Sequence, residues 1–137
     1  MPPAHHVGIT VADLDRAVEF YSEVFDLDTL TEFSVGGEGL STAVDVPDAE
    51  AEFVHLDGDG VRIELVEYDP EGEDRTGAAV NDPGGAHLGF SVDDVDGFYD
   101  DLPADVETLS EPQTSSTGTR ILFLRDPEGN LIEVLDA

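Results

Sequence analysis

The stretch His6-Val7-Gly8-Ile9-Thr10-Val11-Ala12-Asp13-Leu14-Asp15 returns 81 residues further along as His87-Leu88-Gly89-Phe90-Ser91-Val92-Asp93-Asp94-Val95-Asp96. A second pair follows the first. Asp57-Gly58-Asp59-Gly60-Val61-Arg62-Ile63-Glu64-Leu65 matches Asp126-Pro127-Glu128-Gly129-Asn130-Leu131-Ile132-Glu133-Val134, at an offset of 69. An internal repeat on this scale is one supersecondary unit used twice. The first copy is longer by 12 residues, and the glycine-rich stretch from Gly36 to Asp48 reads as a loop that holds them.

Each copy shows the same order of signals. An alternating strand comes first, residues 6–12 or 87–92. An acidic helix start follows, Asp13 or Asp93, where a carboxylate suits the N-terminal dipole. Leu14, Ala17, Val18, Tyr21, Val24 and Phe25 recur at helical spacing in the first copy. Val95, Phe98, Tyr99 and Leu102 do so in the second, and Pro103 ends the run. Three strands complete each copy: 28–34, 50–56 and 61–68, then 105–109, 119–125 and 130–136. The last two strands of each copy are joined by tight turns at Asp57–Gly60 and Asp126–Gly129. The expected fold is therefore α+β: two β-α-β-β-β modules, residues 5–68 and 86–137, joined by a linker at 69–85. At 137 residues the chain suits one domain.

Composition excludes several roles. Acidic residues number 33 and basic ones 5, all arginine, for a net charge of −28. Nucleic acid and anionic membranes need a basic face, so neither is an expected partner. The acids are spread along the whole chain, and lysine is absent. That composition resembles proteins of salt-accumulating halophiles, in which molar salt screens self-repulsion. No run approaches the ~20 apolar residues of a membrane span. The start Met1-Pro2-Pro3-Ala4-His5-His6 has no signal-peptide character, so a cytoplasmic protein is expected. Without cysteine, any metal must be held by His, Asp, Glu or backbone oxygen.

Side chains alternate faces along a strand. His6, Gly8 and Thr10 share one face of the first strand, with Val7, Ile9 and Val11 on the other. His87, Gly89 and Ser91 repeat the pattern against Leu88, Phe90 and Val92. The branched apolar face should pack under the helix, and the glycine beside each histidine leaves room for a ligand. Glu64 lies between Ile63 and Leu65, and Glu133 between Ile132 and Val134. A carboxylate among apolar residues is costly unless paired or bound to a cation. A lone strand glutamate can face water, and a lone strand histidine is commonly structural. Recurrence of both at matching repeat positions favours a shared task. Two neutral imidazoles and two carboxylates neutralise a dication and suit Zn, Ni, Co, Mn or Fe. His6, Glu64, His87 and Glu133 are thus the candidate metal ligands. His5 faces away on this alternation and lacks a repeat partner, and His55, in the third strand, has no counterpart, since the matching position is Leu124, and reads as structural or exposed. Arg62, Arg120 and Arg125 read as salt-bridge partners for the many acids.

These motifs, with Arg125-Asp126-Pro127-Glu128-Gly129-Asn130 and Asp13-Leu14-Asp15-Arg16-Ala17-Val18-Glu19-Phe20-Tyr21, resemble the vicinal-oxygen-chelate superfamily. That group includes glyoxalase I, methylmalonyl-CoA epimerase, extradiol dioxygenases and bleomycin- and fosfomycin-resistance proteins. The resemblance covers nearly the whole chain and is closest in ligand pattern to glyoxalase I-like proteins. It implies a curved mixed sheet around a metal cleft, with His6, Glu64, His87 and Glu133 at the four ligand positions. It further implies a small-molecule substrate and a homodimer. A lyase, isomerase or epimerase acting on a small carbonyl, thiol-adduct or acyl compound is the expected activity. Its enediolate would be stabilised by the divalent metal, with Glu133 and Glu64 as the proton-shuttling groups. The resemblance also allows a thiol cofactor of unidentified kind, and the alternatives are a metal-dependent dioxygenase or transferase of the same superfamily, or a small-molecule (drug) binding resistance protein.

Overall fold

A computed structural model describes residues 2–137; Met1, where the reading of the N-terminus begins, lies outside the described residues. The chain divides into two compact units, Met1–Asp74 and Arg75–Ala137. The stretch read as a linker, 69–85, is split between them.

Unit 1 runs β1 (Val7–Thr10), α1 (Leu14–Phe25), β2 (Thr29–Val35), α2 (Glu38–Val44), β3 (Glu50–Asp57) and β4 (Arg62–Asp69). Its four strands form one mixed sheet in the order β1-β4-β3-β2, with β1 parallel to β4 and the other pairs antiparallel. Unit 2 runs β5 (His87–Ser91), α3 (Val95–Asp100), β6 (Gln113–Thr114), β7 (Arg120–Arg125) and β8 (Leu131–Leu135), in the order β5-β8-β7-β6. Each unit thus has the expected β-α-β-β-β order, with α2 as an insertion in the first.

Local chemistry explains the elements. Asp13 caps α1 by accepting from the Arg16 N–H at 3.1 Å, and Glu67 Oε1 accepts from the Leu14 N–H at 2.9 Å. Two carboxylates therefore serve the positive end of one helix. Leu14, Ala17, Phe20 and Tyr21 are the buried stripe of α1. Because Glu67 reaches α1, the residues alternating with it, Ile63 and Leu65, share the helix side of β4, and both are fully buried. Each such side chain stabilises the unit by about 1.5–3 kcal/mol. The other side of the sheet carries Ala51, Phe53 and Val66, with Leu40 of α2 and Tyr68 packed on them. In unit 2 the core is Val95, Leu122, Leu124, Ile132 and Val134. Arg120 of β7 clasps Asp96 of α3 through two hydrogen bonds, 2.7 and 3.2 Å. That pairing holds the Asp96 carboxyl below its ordinary range and raises the Arg120 guanidinium.

Four expectations are corrected. The stretch from Gly36 to Asp48 is not all loop: α2 forms there, and Leu40 anchors it to the sheet. The strand expected at 105–109 reduces to an isolated bridge between Thr108 and Leu124, and the edge strand is β6 at Gln113–Thr114. Asp94, not Asp93, caps α3, because its side chain accepts from the Gly97 N–H. The apolar side of β1 is only partly covered: Val11 is buried, Ile9 half-buried and Val7 exposed. β1 is an edge strand, and α1 packs chiefly on β3 and β4.

The two hairpins differ by one residue. Asp57 pairs with Arg62, so residues 58–61 form the first turn. Arg125 pairs with Leu131, so residues 126–130 form the second. In the first, the Gly58 N–H donates to Val61 O, and a Cβ at Gly58 would lie only 2.5 Å from that oxygen. Glycine is required there by the close approach of the backbone. In the second, Asp126 Oδ1 accepts from the N–H groups of Glu128 and Asn130, as expected of a turn former.

Candidate functional site

The register of the parallel pairs is the same in both units. Gly8 stands opposite Glu64, and Gly89 opposite Glu133. Each histidine of the His-x-Gly motif therefore lies two residues before the position facing its glutamate. His6 Nε2 is 3.4 Å from Glu64 Oε2, and His87 Nε2 is 3.5 Å from Glu133 Oε1. Both separations are longer than a good hydrogen bond. They match donors that share a cation: two atoms each about 2.1 Å from a tetrahedral centre stand about 3.4 Å apart. The histidines are exposed and the glutamates mostly covered, so the donor atoms lie at an accessible surface.

The donor sets fit a divalent ion in type as well. Each unit supplies one imidazole and one carboxylate, the mixture favoured by borderline metals. Among the described residues, no group of three His, Asp or Glu side chains is gathered in a geometry that would hold an ion. Each unit offers two donors.

The glycine expected to leave room for a ligand has a more immediate use in unit 1. A Cβ on Gly8 would lie 3.5 Å from Glu64 Oε1. That is ordinary van der Waals contact, and the space beyond it is taken by the carboxylate, whose Oε2 lies 3.4 Å from His6 Nε2.

His55 is the functional candidate that the sequence passed over. It is 4% exposed, and its Nε2 lies 2.7 Å from Glu64 Oε2. Its Nδ1 lies 3.3 Å from Nη1 of Arg62. The ladder sets His55 directly opposite Glu64, and the corresponding position opposite Glu133 is Phe123, not Leu124. The one-residue difference between the hairpins causes the shift. His5 also departs from its expected place. It precedes β1, so strand alternation does not govern it, and its ring lies against His6 with Nδ1 atoms 2.8 Å apart. Of the arginines, Arg120 forms the expected ion pair, Arg62 meets His55, and Arg125 donates to the carbonyls of Gly129 and Ala78.

The model of the Glyoxalase/Bleomycin resistance protein/Dioxygenase superfamily matches residues 4–134, a span that contains all four candidate ligands. The chain belongs to this superfamily. The 2-epi-5-epi-valiolone epimerase of Actinomyces sp is 34% identical over 143 aligned positions, covering 96% of this chain and 78% of that protein. A glyoxalase family protein from Bacillus cereus has a similar structure, with a TM-score of 0.86 and 26% identity over 98% of this chain and 93% of its own. The trypanothione-dependent glyoxalase I of Leishmania major matches with a TM-score of 0.68 and 25% identity, over 99% of this chain and 87% of its own. The chain is thus a superfamily member with an epimerase relative. No helix among the described residues is long and apolar enough to cross a membrane.

Proposed function

We propose that this protein is a metal-dependent epimerase or isomerase of small carbonyl compounds, and that His6, Glu64, His87 and Glu133 together hold its divalent ion. The observation that carries the reading is the His–Glu donor pair, 3.4 Å apart in one unit and 3.5 Å in the other. The epimerase relative supports the choice of reaction within the superfamily. Fold alone would not, because one scaffold hosts many activities.

A divalent ion held by these residues would supply Lewis-acid stabilisation of the negative charge that develops on a substrate oxygen. The protein supplies the base. A carboxylate, Glu133 or Glu64, takes the proton from the carbon beside the carbonyl. The C–H electron pair moves into a new C=C bond, and the carbonyl pair moves onto oxygen. Delivery of a solvent-exchanged proton to the opposite face of the same carbon gives an epimer; in an α-hydroxy carbonyl compound, delivery to the former carbonyl carbon, with the α-hydroxyl proton passing to the former carbonyl oxygen, gives an isomer. The apolar residues beside Glu64 on the same sheet face, Phe53 and Val66, keep bulk water from part of that carboxylate's surroundings.

The test is solvent exchange. Protein purified in molar salt without a histidine tag is analysed for metal, then incubated in D2O with cyclic ketones, hemithioacetals and acyl thioesters. Deuterium is expected at the carbon next to the carbonyl, and His87→Ala should abolish its incorporation. Protons retained there by every compound that is turned over would refute the reading. Oxygen uptake with Fe(II) and catechols would point to the dioxygenases of the superfamily instead. Ligand binding undiminished in His87→Ala would point to its drug-binding members.

A further inference from the structure

We infer that His55 is a positioning residue that locks Glu64 in place, a clamp that Phe123 cannot supply to Glu133 in unit 2. The inference rests on the metal-dependent reading above.

Hydrogen-bond chemistry fixes the state of His55. Arg62 can only donate, so the Nδ1 of His55 facing it at 3.3 Å must accept. The ring proton is then on Nε2, which lies 2.7 Å from Glu64 Oε2 and donates to it. The ring cannot readily turn away. It is almost fully buried, and Phe33 meets it edge-on at 5.2 Å between centroids. Phe33 is itself stacked on Phe53 at 4.8 Å. Glu64 is therefore held from one side by His55, while its other oxygen lies over Gly8. Hydrogen bonds of this kind to a metal-ligating carboxylate set its orientation.

Unit 2 has the same frame without the clamp. Phe123 occupies the position opposite Glu133 and packs against His87 at 5.3 Å. A phenyl ring offers no donor. Within its own unit the Glu133 carboxylate has no polar partner nearer than His87 at 3.5 Å. A Cβ on Gly89 would meet no atom of Glu133 within 4 Å, so the carboxylate does not lean there as Glu64 leans over Gly8. A group that anchors a cation needs a fixed orientation, which His55 supplies in unit 1 and Phe123 does not in unit 2.

The test uses His55→Phe, which copies the residue of the other unit, and His55→Gln, whose amide nitrogen can replace the Nε2–H. Co(II) affinity is measured by chelator competition on the full chain. His55→Phe is expected to bind Co(II) about 10–100-fold more weakly and to change the visible spectrum of the cobalt form. His55→Gln should recover most of that loss. An affinity for His55→Phe equal to that of the wild type, or equal losses in Phe and Gln variants, overturns the inference. A second readout needs no metal: 15N-labelled histidine in the metal-free wild type should show a slowly exchanging Nε2–H for His55. An Nδ1–H signal instead overturns the inference whatever the metal result. Failure of the wild type to take up any divalent ion would retire the proposed function, and the tautomer measurement would still decide the His55–Glu64 contact.

Discussion

Gly8 faces Glu64 across the parallel β1–β4 ladder, and a methyl group on Gly8 would stand 3.5 Å from the carboxylate oxygen Oε1. That distance is ordinary van der Waals contact, so the position has room for one carbon and no more. Gly8→Ala is expected to fold and to keep metal affinity within about threefold of wild type, since it displaces nothing. Gly8→Val adds a branch where the carboxylate lies and should push Glu64 off its line to His6, weakening metal binding about 10–100-fold. Chelator competition on both variants checks this. Equal affinities for Ala and Val would show that the space above Gly8 does not position Glu64.

Asp126 is nearly buried at the turn that feeds β8. Its Oδ1 accepts from two backbone N–H groups, and its Oδ2 accepts from the Asn130 side chain at 2.9 Å. Asp126→Ala leaves those donors unmatched and should cost about 1–3 kcal/mol in urea unfolding. Asp126→Asn keeps one acceptor oxygen and should lose less. A substitution to alanine that is neutral would place the turn's stability elsewhere.

The Asp96–Arg120 clasp gives a pH signature. Arg120 holds the Asp96 carboxyl below its ordinary value of 3.8. A lowered pKa in the folded state means the contribution is complete above 3.8 and fades as the pH falls through the folded value. Wild type should therefore melt above Asp96→Asn by a constant margin at about pH 5–8, and the margin should close in stronger acid. A margin that widens in acid would contradict the pairing. Both groups are exposed, so added salt should narrow the margin as well.

A net charge of −28 on 137 residues makes salt a structural variable. The Debye length falls from about 10 Å at 0.1 M to about 3 Å at 1 M, which removes most repulsion between neighbouring carboxylates. The melting temperature is expected to rise by roughly 10 °C between 0.1 and 2 M KCl. Thermal melts at matched pH test this, and a flat or falling curve would count against the halophilic reading of the composition.

The four residues of the candidate site are legible in the sequence as a repeated pattern. The His-x-Gly and Ile-Glu motifs are local, they recur, and recurrence distinguishes a function from chance. Their spacing also places each glutamate on a strand beside its histidine, and the ladders pair Gly8 with Glu64 and Gly89 with Glu133 in one register. His55 was not legible. Its importance depends on which residue it faces across a hairpin, and that depends on turn length. An ungapped reading of Asp57-Gly58-Asp59-Gly60 against Asp126-Pro127-Glu128-Gly129 hides the one-residue difference that pairs Glu133 with Phe123. Likewise the glycine-rich entry to α2 is a breaker signal in the sequence, whereas the anchoring of Leu40 on Ala51, Phe53 and Val66 is a tertiary contact.

The order of elements, the duplicated module and the four repeated ligand candidates follow from sequence alone, because periodicity and repetition are properties of neighbouring residues. The clamp on Glu64, its tautomer through Arg62, and the resulting inequality of two look-alike glutamates belong to tertiary structure. They arise where strands distant in the chain come side by side, and a single residue in a turn decides which side chains meet.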